Sequence, residues 1–143
     1  MGLSADDIEV GDSRETVLVD GLTRSQIVQY AGASGDFNPL HTDEVFATQV
    51  AGYRAVFAHG MLTMGMTARV LTDWVGNGRL VDYAARFVKQ VWPGDTLTAR
   101  AEVTAVRHEG DDGAGGVADF SISTTNQHGE VVLTGTATAS LDG

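Results

Sequence analysis

The sequence predicts an α+β fold, an antiparallel sheet with helices segregated to one side. Two observations carry this. Residues 60–74, GMLTMGMTARVLTDW, keep apolar side chains around most of a helical circumference, the pattern of a helix enclosed by other structure. From Leu80 onward the spacing changes to a two-residue period with no second long helix, and strands that follow helices in this way make an α+β layout. At 143 residues the chain suits one domain, 1–143, with bulk for a hydrophobic core.

The first half supplies short elements. Residues 17–19 have the composition of a brief first strand. Thr23 opens a helix, because Thr23 and Gln26 form the Thr-x-x-Gln pattern of a capping box. Ile27, Tyr30 and Ala31 then recur at helical spacing and mark its inward face. Gly35 and Pro39 stop this helix near Ser34, and Asn38, preceding a proline, is pushed to extended geometry. Thr42 is placed to cap a second short helix with Val45 and Phe46 inward. In the long helix Gly65 and Ala68 lack bulk, so a neighbouring backbone, most simply a sheet, is expected to approach there. Gly76 and Gly78 end that helix.

The second half alternates. Leu97, Ala99, Ala101 and Val103 face one way, as do Ala118, Phe120 and Ile122, and then Val131, Leu133, Gly135, Ala137 and Ala139. Pro93-Gly94-Asp95 and Gln127-His128-Gly129 are turns, and 109–116, EGDDGAGG, reads as an exposed hairpin loop. Four strands are expected after the long helix.

Composition narrows the function. Acidic residues outnumber basic ones 19 to 9, giving a net charge of −10. Such a chain repels phosphate backbones, so nucleic acid is not an expected partner. An anionic small ligand would need a local basic patch, which the arginines at 54, 69, 79, 86, 100 and 107 could supply. No apolar run approaches the ~18 residues of a membrane span. The start, MGLSADDIEVGD, is acidic and polar, unlike a secretory signal. The absence of cysteine excludes disulfides, thiolate catalysis and cysteine metal sites. A soluble, cytoplasmic protein is the expectation.

Two segments could carry chemistry. In 34–41, SGDFNPLH, glycine and proline bend the chain, so Asp36 and His41 can converge although they are five residues apart. A carboxylate beside an imidazole handles protons, a role typically worth ~10²–10⁴ in rate. The competing reading is ordinary turn chemistry, with Asp36 and Asn38 capping turns and His41 at the surface, and spacing alone leans that way. In 58–61, AHGM, Gly60 opens the long helix. An unsatisfied N–H there could stabilise an oxyanion, or Gly60 could simply permit a tight turn. Asp36, His41 and His59 show no metal-ligand spacing such as H-E-x-x-H, so no metal is expected. His108 and His128 read as surface residues, and Met61, Met64 and Met66 as core filler.

With these residues in view, S-G-D-F-N-P-L-H followed by Asp43 resembles the signature of the MaoC-like, R-specific enoyl-CoA hydratases of the hydratase 2 type. AHGM is similar to that family's second block. Gly78-Arg79-Leu80 through Arg86-Phe87 to Val91 and Pro93-Gly94-Asp95 is similar to its central strands. The stretch AHGMLTMG with Trp74-Val75-Gly76 also resembles mycobacterial-type hydroxyacyl-carrier-protein dehydratase subunits. The likeness runs from about Val10 to Leu141.

The resemblance implies a hot-dog fold, a long central helix wrapped by an antiparallel β-sheet. It also implies homodimers or higher oligomers whose sheets join edge to edge. The implied reaction is reversible syn addition of water to a trans-2-enoyl thioester of CoA or acyl carrier protein, giving the (3R)-hydroxyacyl thioester with no cofactor. Carried over, Asp36 and His41 match the water-holding pair, with Asp36 as principal base and His41 as hydrogen-bonding and proton-donating partner. Gly60 matches the residue whose N–H binds the thioester oxygen, and Asn38 the loop support. Ser34, His59 and Thr63 are further candidates for substrate binding or loop support; Thr63 stands near a position where such hydratases often carry serine. Arg69, Arg79, Arg86 and Lys89 are candidates for the carrier phosphates, or plain surface charges. A hot-dog thioesterase and a subunit of a heteromeric dehydratase are the alternatives.

Overall fold

The computed structural model describes residues 2–109 and 115–142. Strand β1 (Ser13–Val19) leads to helix α1 (Arg24–Ser34), the single turn α2 (Pro39–Thr42), a π-helical turn at Phe46–Val50 and the long helix α3 (Gly60–Val75). Four strands follow, β2 (Leu80–Phe87), β3 (Leu97–His108), β4 (Gly116–Thr125) and β5 (Val131–Leu141). They form one antiparallel sheet in the order β1-β3-β4-β5-β2, leaving β1 and β2 as its edges. The α+β layout expected from the two periodicities is the one observed.

Local chemistry explains the boundaries. The Thr23 hydroxyl accepts from Gln26 N–H at 3.0 Å and Thr23 N–H donates to Gln26 Oε1 at 2.9 Å, so both halves of the capping box form. Gly35 ends α1 at φ 77°, a left-handed conformation that favours glycine. The strand expected at 17–19 starts earlier, at Ser13, because β1 is an edge whose outer residues need no apolar alternation. The loop expected over 109–116 falls largely on 110–114, outside the described residues, and His108 and Gly116 pair across it.

Three expectations need correction. Thr42 does not cap the second helix; Asn38 caps α2, its side chain accepting from Leu40 N–H at 3.0 Å, and Asp43 accepts from Phe46 N–H at 3.1 Å. The cap thus sits one residue later, at Asp43, and the next segment is turned so that Ala47 is buried while Val45 is 60 % exposed. Nor is α3 enclosed all round. It lies on the sheet through Thr63, Thr67, Val70, Leu71 and Val75, and Met61, Gly65, Arg69 and Asp73, spaced four apart, face outward. One sheet covers one side of a helix, so the apolar remainder stays open. Gly65 consequently meets no neighbouring backbone; a Cβ there would stand in open space.

The core sits between α3 and the sheet. Leu97, Ala99, Ala101, Val103, Ala118, Phe120, Leu133, Ala137 and Ala139 are buried on the inner face, as the period-two reading requires. The small alanines bring the sheet close to the helix. A buried hydroxyl pair, Thr67 with Thr124 at 2.6 Å, lets two polar side chains share that interior. Tyr83 on β2 donates to the Met64 carbonyl at 2.6 Å, and burial pushes its phenol up to about 12.

Candidate active site

The loop between α1 and α2 is built from side-chain-to-backbone bonds. Asp36 N–H donates to Ser34 Oγ at 3.1 Å, Asn38 N–H to Asp36 Oδ1 at 3.2 Å and Leu40 N–H to Asn38 Oδ1 at 3.0 Å. Each residue of the motif thus fixes the next one, which is the turn chemistry the sequence favoured. The same chemistry turns Asp36 towards the α2 imidazole. Asp36 Oδ2 stands 3.9 Å from His41 Nε2, with the carboxylate 53 % exposed and the imidazole 10 % exposed. The turn and the approach of Asp36 to His41 are therefore one structure.

His41 is held firmly. Its Nδ1 lies 2.7 Å from the Phe57 carbonyl. A carbonyl only accepts, so Nδ1 carries the proton and the Nε2 lone pair of neutral His41 faces Asp36. His41 also stacks on His59 with ring centroids 3.8 Å apart and planes 24° apart. His59 is buried, meets Tyr30 of α1 edge-on at 4.8 Å and donates from Nε2 to the Asp36 carbonyl at 3.0 Å. Its Nδ1 is buried and has no hydrogen-bond partner among the described residues. His59 therefore braces the motif from the position before α3, tying the Asp36 backbone to the helix start.

Asp36, His41 and His59 each offer a ligand atom within 4.8 Å of the others. However, His59 Nε2 and His41 Nδ1 carry protons committed to carbonyls, and a protonated nitrogen is no metal ligand. A metal would have to use the two remaining nitrogens, one of them buried beside the core.

Gly60 is the first residue of α3, and among the described residues its N–H meets no acceptor. It lines a cavity of about 220 Å³ together with Phe57, Thr63, Phe87, Val91 and Val132. The lining is mainly apolar, as an acyl site requires. Asp36 and His41 are not part of that lining; they flank it through Phe57, which His41 bonds, and through His59, which precedes Gly60. A Cβ on Gly60 would come within 2.5 Å of the Phe87 ring, so only glycine fits under it. Gly60→Ala is expected to cost about 1–3 kcal/mol through this overpacking, and a Phe87→Ala background to recover most of the loss. Urea denaturation of the single and double variants measures both.

Two parts of the site had no sequence signal. The Phe57 carbonyl is a backbone group sixteen residues from His41, and Phe87 reaches Gly60 only because β2 runs beside α3. The proposed phosphate cations also divide. Arg79 pairs with Asp142 and Lys89 with Glu130, while Arg69 donates to the Leu18 carbonyl.

The description of the MaoC like domain matches residues 7–125. The chain belongs to the MaoC-like family. The (R)-specific enoyl-CoA hydratase of Aeromonas caviae is 31 % identical over 141 residues, covering 97 % of this chain and 99 % of that one. The 3-hydroxyacyl-thioester dehydratase Y of Mycobacterium tuberculosis is 40 % identical over 93 residues, 63 % of this chain. Those 93 residues make up 32 % of that larger protein. Among solved structures, the unliganded R-hydratase PhaJ1 from Pseudomonas aeruginosa superposes with a TM-score of 0.81 at 26 % identity, covering 96 % of this chain and 84 % of its own. The fold of this MaoC-like chain is accordingly the hot-dog fold.

Proposed function

We propose that this MaoC-like protein is a hydro-lyase that hydrates trans-2-enoyl thioesters to (3R)-hydroxyacyl thioesters and catalyses the reverse dehydration. One observation carries the reading. Asp36 and the Nε2 lone pair of His41 are two acceptors aimed at one point, beside a helix start whose Gly60 N–H is free. Two acceptors 3.9 Å apart suit the two protons of one water. The near full-length likeness to a hydratase supports the same reaction.

In this reading the water oxygen bonds to C3, and charge moves through the conjugated system onto the thioester oxygen, where Gly60 N–H receives it. Asp36 takes the proton leaving water and returns it to C2 on the same face, restoring the carboxylate. His41 accepts a hydrogen bond from the proton that stays on the new hydroxyl. Because Phe57 fixes the His41 proton on Nδ1, neutral His41 orients the water in the hydration direction and donates from Nε2 only when it is itself protonated. Dehydration runs the steps in reverse.

Purified protein is expected to hydrate crotonyl-CoA, followed by loss of the enoyl thioester absorbance, with (3R)-product by chiral analysis. Release of free CoA from a saturated acyl-CoA without hydration would establish the thioesterase alternative instead.

The assembly we propose is a homodimer joined at β2. This sheet edge exposes Val81 at 65 % and Phe87 at 50 %, followed by Val88 at 53 %, and an unprotected apolar edge invites a second strand. Sedimentation is expected to give a dimer, and Val81→Lys a monomer. A chain that is insoluble alone and rescued by a co-expressed partner would favour the heteromeric arrangement. Among the described residues no helix is long and apolar enough to cross a membrane, and a cytoplasmic location is part of the proposal.

A further inference from the structure

We propose that Arg54, stacked on Trp92, is the subsite for the phosphate-bearing nucleotide end of a CoA thioester; the assignment rests on the enoyl-thioester reading above. The chain carries nine lysine and arginine cations. Five are paired with carboxylates, as Arg24–Glu44, Arg79–Asp142, Lys89–Glu130, Arg100–Glu102 and Arg107–Asp119. Of the other four, Arg69 is bonded to the Leu18 carbonyl, and Arg14 lies over Trp74. Trp74 is fourteen residues along α3 from Gly60, about 21 Å away at helical rise. Arg86 neighbours Phe87 on β2, and since Phe87 faces Gly60, Arg86 projects from the opposite face of the sheet.

Lys89 also lines the cavity at Gly60 but is paired with Glu130, so among the described residues Arg54 is the cation near the site that no carboxylate engages. Its guanidinium lies 4.3 Å over the Trp92 ring, Trp92 meets Phe57 at 5.8 Å, and Phe57 meets His41 at 5.3 Å. Those steps bound the separation of the guanidinium from the His41 ring at about 16 Å, a span within reach of a pantetheine arm, which is as long as roughly five extended residues. Phe57 and Val91, immediately next to Trp92 in the chain, line the cavity at Gly60. Phe57 and Trp92 thus run from His41 to an exposed cation, with Tyr53 packed against Phe57.

Chemistry selects the ligand. A chain of net charge −10 repels a polyanion unless a local cation receives it. Guanidinium presents paired donors to a phosphate, and the neighbouring indole offers an aromatic surface for a purine. A protein carrier would dock through a broad basic patch, whereas a single guanidinium with no carboxylate partner among the described residues suits a small ligand.

The test compares kcat/KM for crotonyl-CoA with that for crotonyl-pantetheine, the same thioester without phosphates or purine, and with crotonyl-phosphopantetheine on an acyl carrier protein. Arg54→Ala is expected to cut the CoA-to-pantetheine preference about ten- to a hundredfold, with Arg54→Lys intermediate. An unchanged ratio, or equal losses on both small substrates, would overturn the subsite. A larger preference for the carrier protein that falls equally in Arg54→Ala would reassign Arg54 to the phosphate of a carrier-bound arm, and so overturn the CoA end. If the parent protein turns over none of these thioesters, the hydratase reading has failed separately. Binding of adenosine 3′,5′-bisphosphate, read by Trp92 fluorescence or calorimetry in the parent and Arg54→Ala, then decides the subsite by itself.

Discussion

Asp36→Asn is expected to lower kcat for crotonyl-CoA hydration on the order of 10²–10⁴-fold, the range for loss of a positioned acid/base group, and to leave the fold intact. The variant is informative because the local structure tolerates it. Asp36 is half exposed, so the amide replaces the carboxylate without a desolvation penalty. Its Oδ1 can still accept from Asn38 N–H, the bond that turns the loop, and the Asp36 carbonyl keeps its bond from His59. What disappears is the ability to take a proton from water. Melting temperature and KM are expected to stay close to those of the parent, because Asp36 lies outside the lining of the Gly60 cavity, the proposed acyl site. A kcat within threefold of the parent, in a folded variant, would remove Asp36 as base.

The parts of this molecule legible in the sequence are those whose cause is local. The Thr23–Gln26 box, the Gly35 stop and the alternation of β3 and β4 are each settled by neighbours a few residues away, and each is found as read. The turn at 34–41 belongs with them, since Ser34, Asp36, Asn38 and Leu40 are linked in series by side-chain-to-backbone bonds. What stayed hidden depends on distant chain segments. Periodicity makes α3 look enclosed, yet enclosure is a property of the partners, and a single sheet leaves the Met61–Gly65–Arg69–Asp73 stripe open. The same limit governs the cations. Arg54 could be named as one of several arginines, but only the approach of Trp92 and the pairing of Arg79 and Lys89 separate it from the rest. His59 shows both sides. The motif around it was visible, whereas its stack on His41 and its bond to the Asp36 carbonyl needed the loop and the helix start brought together.

His41 offers the sharper test of how labour is divided. His41→Ala is expected to lower kcat on the order of 10²–10⁴-fold, and also to destabilise by about 1–3 kcal/mol, because the Phe57 carbonyl loses its donor and the His59 ring its stacking partner. Two effects in one variant are hard to read, so His41→Gln carries the discrimination. A glutamine amide can donate to Phe57 and still turn an acceptor oxygen towards the water, but it cannot take up and release a proton. If His41 only orients the water, His41→Gln should recover at least tenfold of the kcat lost in His41→Ala. If His41 moves the proton, the two variants should be equally slow while His41→Gln is the more stable, as thermal melting would report. The Asp36→Asn/His41→Gln double variant closes the comparison. One water held by both groups acts as a unit, so the double variant should be scarcely slower than Asp36→Asn alone. Losses that multiply would mean that the two side chains act in separate steps.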